Sequence, residues 1–548
     1  MLSYRKLAMR VLGRPLHTEG IDSPRPASQR AAALVLTAAM LTTLAAPAFA
    51  KTWYIENGNI TVKAGKIEGT NKVSQGETTD EKDTDTVITN RDKDTASSHT
   101  VTINANGKND KVEVTLKDVN IEANSGHALT SNGDVTLTLK GENHLTGGNG
   151  GRYGGSGITS NGSLTITGGE NDSLTAQGGS SADGGSGSYG GDGIGSGIGS
   201  SSGLTISGGT VNAAGGSGSY GGSGSGIYSR GGVTISGGTV TANGGDGSNV
   251  SGSGITSNGG VTISGGTVNA AGGSGSYGGN GIYSRSSLTI SGGTVNATGR
   301  DGKDGYGGGG IWSGGVTISG GMVTANGGNG GSGSYGGDGI GSIGGVAISG
   351  GTVTANGGNG GNGGDGICSS GIDLSGSLEL TAKAGSPSGR ALSQNGDELD
   401  LNTIKDKLGP GAKVTATDAN GKVNQVSIPR PVESSSSSSS SYGGSAAPSA
   451  PASPLPGLTV TDKDGQRISY TSTQSGNTLT VCVGRFTASF RISLAALRQL
   501  RAEGIDTITF QTILCSTTLS VDELLAMGGE DAEAVLTHRF TDSSLTVG

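Results

Sequence analysis

Three aromatic residues occupy the same position in a four-residue phrase that recurs along the chain. The phrase is Gly-Ile-x-Ser, and x is Tyr228, Tyr283 and Trp312 in three of its copies. If the isoleucine points inward, x points outward, because side chains alternate along a strand. An outward ring on a polar face can stack on the C–H face of a sugar, while Ser, Thr and Asn bind its hydroxyls. The other interpretation is that these rings cover the face against a Gly-rich loop.

A cluster of charged residues lies in the loop just before Trp312. The segment Arg300-Asp-Gly-Lys-Asp304 supplies two cations, Arg300 and Lys303. Such cations pair with carboxylates, so the segment predicts contact with an acidic sugar. An ordinary solvated loop is the alternative interpretation.

A calcium-binding pattern occurs near the end of the repeats. Gly360-Gly-Asn-Gly-Gly-Asp365-Gly-Ile367 matches the G-G-x-G-x-D-x-U nonapeptide of calcium-binding β-rolls. Asp338 and Asp192 precede Gly-Ile in the same way. These three aspartates are therefore candidate calcium ligands. The pattern returns about once per 28 residues rather than every nine, and calcium takes six to eight oxygen ligands, so the sequence requires no cofactor.

Signatures of catalysis are sparse. The five histidines show no metal-ligand spacing. The serines of the Gly-Ser-Gly loops have no histidine and aspartate paired with them, so a catalytic triad has no support. Outward strand positions are mostly Thr, Ser, Gly and Asn. The sequence therefore predicts a protein that is not an enzyme.

A longer repeat must position these residues. Leu204-Thr-Ile-Ser-Gly-Gly-Thr-Val211 returns with small changes at a period near 28 residues, which is typical of a solenoid. Each repeat holds three short pieces with period-2 alternation, as in half-buried strands. We therefore predict an all-β fold, a right-handed parallel β-helix with rungs of about 28 residues over 100–385. Its interior stack would contain Ile227, Ile255, Ile282, Ile311, Ile340 and Ile367.

Composition supports this interpretation over the alternatives. Glycine contributes 111 of 548 residues, apolar residues 31% and aromatic residues 3%. Glycine disfavours helices, and collagen is excluded because there is no G-X-Y register and only 12 prolines. A disordered Gly/Ser linker does not explain isoleucines in register. The net charge of −8 disfavours nucleic acid as a partner, because phosphates require Lys and Arg.

Four regions follow from the changes in composition. A basic segment, an apolar stretch and Ala48-Phe49-Ala50 predict a signal peptide over 1–50, cleaved after Ala50. The β-helix and its caps would occupy 51–430, a Ser/Pro-rich linker 431–457 and a small α+β domain 458–548. Cys482 and Cys515 of that domain could form a disulfide or remain as thiols. No later stretch is apolar enough to span a membrane, so the chain is expected to be secreted or at the cell surface.

Several phrases carry a resemblance to a known family. They are Leu137-Thr-Leu-Lys-Gly-Glu-Asn-His-Leu-Thr-Gly-Gly148, Gly157-Ile-Thr-Ser-Asn-Gly-Ser-Leu-Thr-Ile-Thr-Gly-Gly169 and Val233-Thr-Ile-Ser-Gly-Gly-Thr-Val-Thr-Ala242. Roughly 100–385 resembles the exported carbohydrate-binding β-helix proteins of clostridia, which are similar in fold to polysaccharide lyases. The resemblance implies binding of cellulose or acidic plant sugars, with calcium and without clear catalysis, but no particular binding residues.

These observations predict a non-catalytic, monomeric carbohydrate-binding protein that contacts polysaccharide on an outward face of the β-helix. Two alternatives stay open. One is a structural or adhesin stalk that presents the C-terminal domain. The other is a polysaccharide lyase, which the scarcity of outward charges argues against.

Overall fold

The protein is described by a computed structural model. In the first part of the chain it describes residues 51–67, 69–105, 107, 110–150, 154–181, 195–218 and 223–429. In the C-terminal part it describes residues 457–547, except 463–465, 469, 476, 484–486, 513–515, 528–531 and 539–542. The predicted signal peptide over 1–50, nearly all of the predicted linker, Asp192 and Cys515 lie outside the described residues. The chain divides into two compact units, Met1–Glu433 and Ser434–Gly548.

The first unit is the predicted parallel β-helix, with about 13 turns of about 29 residues. Each turn contributes one strand to each of three faces. Face 1 contains the Gly-Ile-x-Ser strands, face 2 the strands of the Val-Thr-Ile type, and face 3 the strands of the Thr-Val-Thr-Ala type. A Gly-rich loop leads from face 3 back to face 1 of the next turn.

Strands on the three faces pair in parallel from turn to turn. The strands of face 1 alone are Ile60–Ala64, Val101–Ala105, Ile158–Ser160, Ile198–Ser200, Ile227–Ser229, Ile255–Ser257, Ile340–Ser342, Ile367–Ser369 and Leu392–Gln394. The strands of face 2 alone are Lys51–Tyr54, Thr86–Thr89, Lys111–Lys117, Ser163–Gly168, Gly203–Ile206, Gly232–Ile235, Val261–Ile263, Val346–Ile348 and Ile372–Leu374. Three longer strands run through both faces: Leu129–Lys140, Ile282–Ile290 and Ile311–Ile318. The parallel strands of face 3 are Asn120–Glu122, Glu142–Thr146, Ser173–Gln177, Thr210–Ala214, Thr239–Asn243, Thr267–Ala271, Thr294–Thr298, Met322–Asn326, Thr352–Asn356, Glu379–Lys383 and Lys413–Thr417.

The core is built from columns of identical or similar apolar residues. The six isoleucines of the predicted interior stack pair with one another in consecutive turns and are fully buried. Burying one such side chain contributes about 1.5–3 kcal/mol. The predicted stack is therefore confirmed, and its repetition stabilises a thin core over the whole unit.

A glycine turn joins face 2 to face 3 and reverses the parity of the alternation. In one turn the inward residues are Val233 and Ile235 on face 2, then Val240 and Ala242 on face 3. Between them Gly238 has φ +76°, and a Cβ there would also collide with the backbone of the preceding turn. Only glycine fits that position, which explains the Gly-Gly pair in the repeat.

Antiparallel segments cover the ends of the stack, where a bare edge could pair with another chain. At the N-terminal end, Asn71–Gln75 pairs with Ile60–Ala64 and with Thr78–Asp83. Residues Ile55–Asn57 form a 3₁₀ helix at the same end. At the other end, Asp397–Glu398 pairs with Leu392–Gln394, and Val423–Ser427 with Lys413–Thr417. The 3₁₀ helix Leu401–Lys407 buries Leu401 and Ile404 against the core. These segments are the caps that the sequence analysis placed within 51–430.

The second unit is a small α+β fold with its own core, as predicted. One antiparallel sheet contains Leu458–Thr461, Ala488–Ser493, Glu533–His538 and Ser543–Val547, and a second sheet contains Thr471–Ser475, Thr478–Cys482, Thr507–Gln511 and Ser516–Ser520. The two α-helices that the structure describes are Leu494–Ala502 and Val521–Ala526. The hydroxyl of Ser520 accepts a hydrogen bond from Glu523 N at 3.4 Å and caps the N-terminus of the second helix. Among the described residues, no helix is long and apolar enough to cross a membrane.

Candidate ligand-binding groove

The residues at x of Gly-Ile-x-Ser form one column along face 1, as the alternation predicts. Direct pairing joins Tyr228 to Thr256, Thr256 to Tyr283, Tyr283 to Trp312, Trp312 to Gly341 and Gly341 to Cys368. Tyr228, Tyr283 and Trp312 are half-buried. Their rings therefore belong to the outer side of the face but do not lie open on a flat surface, because the Gly-rich loops partly cover them.

The Gly-rich loops add a second column of rings that the sequence analysis did not identify. Gly278 N donates to Tyr306 O, and Gly307 N donates to Tyr335 O, both at 3.0 Å. These bonds stack the loops in register, so Tyr277, Tyr306 and Tyr335 follow one another along the β-helix. Adjacent rings meet edge to face, with centroids 5.8 and 5.5 Å apart. The three rings are 44–55% exposed and thus present a ladder of tyrosines to solvent.

An open groove of about 350 Å³ lies between the two columns of rings. Tyr283 and Trp312 line it from face 1, and Tyr306 and Tyr335 line it from the loops. The remaining lining residues are Asn280, Gly307, Gly309, Gly336, Gly337 and Asp338. We call this the aromatic groove.

The indole ring of Trp312 lies close to Gly341 in the next turn of the stack. A Cβ atom added at Gly341 would collide with the indole ring and lie 3.2 Å from Oδ2 of Asp338. The absence of a side chain at Gly341 therefore makes room for the ring. The same close approach places the indole beside the carboxylate of Asp338 at one end of the aromatic groove.

Asp338 and Asp365, two of the predicted metal ligands, lie together at that end. Their carboxylates and the sulfur of Cys368 are all within 4.8 Å of one another. Asp338 Oδ1 accepts from Asp365 N at 2.8 Å, and Asp365 Oδ1 accepts from Arg390 N at 2.7 Å. The third predicted ligand, Asp192, lies outside the described residues.

Burial dominates the electrostatics of this acidic cluster. It raises the pKa of Asp338 to about 7, and the neighbouring charge of Asp365 acts in the same direction. Burial also raises the pKa of the Cys368 thiol to about 12, with both carboxylates adding to the shift. Two acids and a thiol in this space penalise one another's charged forms.

The other predicted site residues lie apart from the aromatic groove. Arg300 is exposed and its Nε donates to Gly272 O at 3.2 Å. Lys303 is exposed in the loop that carries Tyr306, and neither cation lines the groove. Tyr228 lines a separate groove of about 340 Å³ on the N-terminal side, beside Thr159 and Gly199. The structure thus brings together Tyr283, Trp312 and Asp338 among the predicted residues.

The overlooked residues left a signal in the sequence. The loop phrase Ser-Gly-Ser-Tyr-Gly-Gly contains Tyr277 and Tyr335, and Tyr306 lies midway between them in Asp-Gly-Tyr-Gly-Gly, so consecutive tyrosines are 29 residues apart. Cys368 was visible only as an unpaired cysteine at position x. Cys482 also has a free thiol in the structure; Cys515, with which it could form a disulfide, is not among the described residues.

Comparisons with known protein families, with curated proteins and with solved structures found no match for this chain. The resemblance to carbohydrate-binding β-helix proteins therefore remains a hypothesis based on the quoted phrases.

Proposed function

We propose that this protein is a secreted or cell-surface carbohydrate-binding protein that holds a polysaccharide along the aromatic groove without cleaving it. One observation carries the proposal: two facing columns of aromatic rings line an open groove that runs along the stacked turns. Sugar rings suit such walls, because their C–H faces stack on aromatic rings while their hydroxyls contact polar groups such as Asn280.

The lining favours a neutral glycan over an acidic one. Asp338 is the charged residue of the lining, and Arg300 and Lys303 lie outside it. A uronic-acid polymer would bring its carboxylates towards Asp338, which is unfavourable. The sequence suggested a preference for acidic sugars. Such a preference would require Arg300 and Lys303 to contact the ligand from outside the groove.

Affinity per sugar is expected to be low. An aromatic contact contributes about 0.5–1.5 kcal/mol, and the upper end corresponds to about tenfold in the dissociation constant. Tight binding would therefore require a polymer that engages several rings at once.

The test is a glycan array on the full chain, followed by affinity measurements with neutral and uronic-acid polymers that bind. Trp312→Ala should weaken binding about tenfold, and circular dichroism should show that the variant keeps its fold. Tyr228→Ala is the matched control, because it removes a half-buried ring from the same column but from a different groove. Equal losses of glycan affinity in the two variants, or no loss in Trp312→Ala, would exclude the aromatic groove as the binding site.

The same samples separate the alternatives. Arg300→Ala/Lys303→Ala should leave affinity for a neutral polymer unchanged and should weaken binding only of an acidic one. Release of reducing ends or unsaturated products would favour an enzyme over a binding protein.

A structural stalk is the second candidate function. It is favoured by the continuous ladder of about 13 turns, which spans roughly 60 Å at the strand spacing of a sheet. A parent protein that binds no glycan would favour this function.

A further inference from the structure

A second kind of site adjoins the aromatic groove at Asp338, Asp365 and Cys368. Three potential ligand atoms from two consecutive turns lie within 4.8 Å of one another. Asp338 contributes from one turn, and Asp365 and Cys368 from the next. Because the stacked strands fix the register, the three side chains meet without any loop having to close over them.

A fourth polar group completes the cluster. Ser393 follows Cys368 in the column at position x and pairs with it directly. Its side chain is on the same side of face 1 and is 1% exposed. Its Oγ lies against the Cys368 thiol, whose pKa it lowers, but makes no hydrogen bond of normal geometry with any described residue. A buried hydroxyl without a partner is costly, and a cation bound beside Cys368 would satisfy it.

We propose that Asp338, Asp365, Cys368 and Ser393 form a binding site for a thiophilic divalent metal ion of the zinc type. A thiolate with carboxylate oxygens is a ligand set that zinc accepts in tetrahedral geometry, with the Ser393 hydroxyl or a water in the fourth position. Calcium, which the nonapeptide suggested, takes six to eight oxygens and gains nothing from a thiol.

The electrostatics of the cluster agree with a bound cation. The groups that face one another are Asp338, Asp365 and Cys368, with Glu398 on the adjacent antiparallel strand and Arg390 at its edge. A divalent ion would relieve the mutual repulsion of the acids and would deprotonate the thiol outright. Binding would therefore release the Cys368 proton to solvent, and affinity should rise with pH.

The experiment uses Co²⁺ as a spectroscopic substitute for zinc and follows the sulfur-to-cobalt charge-transfer absorption of the full chain. The chain has three cysteines, so Cys482→Ser/Cys515→Ser leaves Cys368 as its single thiol and serves as the control. The band should appear in the parent and in this double variant, and should be lost in Cys368→Ser. Zinc should displace cobalt stoichiometrically.

A second variant protects the test against misfolding. Asp338→Asn keeps the size of the side chain and should reduce cobalt affinity by about 100-fold or more, since it removes a ligand rather than an outer contact. Circular dichroism would verify that both variants fold. Absence of the band from the parent, or its persistence in Cys368→Ser, would overturn the proposal. Calcium binding that is equal in the parent and Cys368→Ser would show an oxygen-only site instead. The readout is metal binding, so the result is independent of whether a glycan binds.

Discussion

The turns that begin at Ile227 and Ile255 and those that begin at Ile282 and Ile311 have the same inward columns, but face 1 is covered differently in the two regions. In the first pair, Ser225 Oγ and Thr256 Oγ1 lie 2.8 Å apart, and both residues are almost fully buried. In the second pair, the equivalent columns hold Asn280 and Tyr283, which line the aromatic groove. At Thr256 the small side chain reaches the serine of the loop, whereas at the equivalent position Tyr283 lines an open groove.

The comparison shows where this fold can vary. The inward columns are nearly identical in both regions, because each isoleucine must pack on the isoleucine of the next turn. The outward columns have no such restriction. A binding site can therefore be introduced by replacing two outward residues per turn without altering the core.

The largest expected effect would test whether the two regions share one core. Ile282→Asp, in the open region, buries a charge without a partner and should destabilise the unit by more than about 4 kcal/mol. Ile255→Asp, in the closed region, should cost as much, since both side chains are fully buried. Urea unfolding measured by circular dichroism would compare them. A mild effect in only one variant would mean that the core differs between the regions.

A smaller effect is expected from adding one methyl group in the open region. Gly341→Ala should force the Trp312 ring to move and cost about 1–3 kcal/mol as overpacking. Its signature would be a shift in tryptophan fluorescence together with weaker glycan binding. Gly199→Ala is the control in the same column, because a Cβ there meets no atom closer than 3.8 Å. If both alanine variants behave alike, the ring does not depend on the space at Gly341.

The last effect concerns pH and is measured with metal removed by a chelator. The pKa of Asp338 is raised to about 7 in the folded protein from 3.8, so the folded state holds its proton more tightly than the unfolded state. The contribution of Asp338 to stability should therefore fall as pH rises from about 4 to about 7. Asp338→Asn should flatten this dependence and stabilise the protein at pH 8.

The matched control for the pH experiment is Asp301→Asn. Asp301 is exposed, and its Oδ1 also accepts a backbone hydrogen bond from the next turn, from Asn329 N at 2.6 Å. Its replacement should leave the slope of melting temperature against pH between 4 and 7 unchanged. If the stability of Asp338→Asn depends on pH between 4 and 7 in the same way as that of the parent, the argument is contradicted.

The sequence predicted the parts of the fold that depend on period-2 alternation. The isoleucine stack, the column at position x and the change of parity at Gly238 all follow from local patterns repeated at one period. The tyrosine ladder did not follow, because its register depends on hydrogen bonds between Gly-rich loops that show no alternation. The sequence also did not predict that Asp365, Cys368 and Ser393 lie together, because their proximity depends on which turns stack and on which side chains remain unpaired.

The in-register stacking of the turns makes the groove modular. A duplication of one complete turn, about 29 residues, would insert a strand into each face and leave every neighbouring pair matched. Such an insertion would lengthen the aromatic groove by about 4.8 Å and add one ring to each wall. The reach of the protein along a polymer could thus change in whole steps while its end caps stay the same.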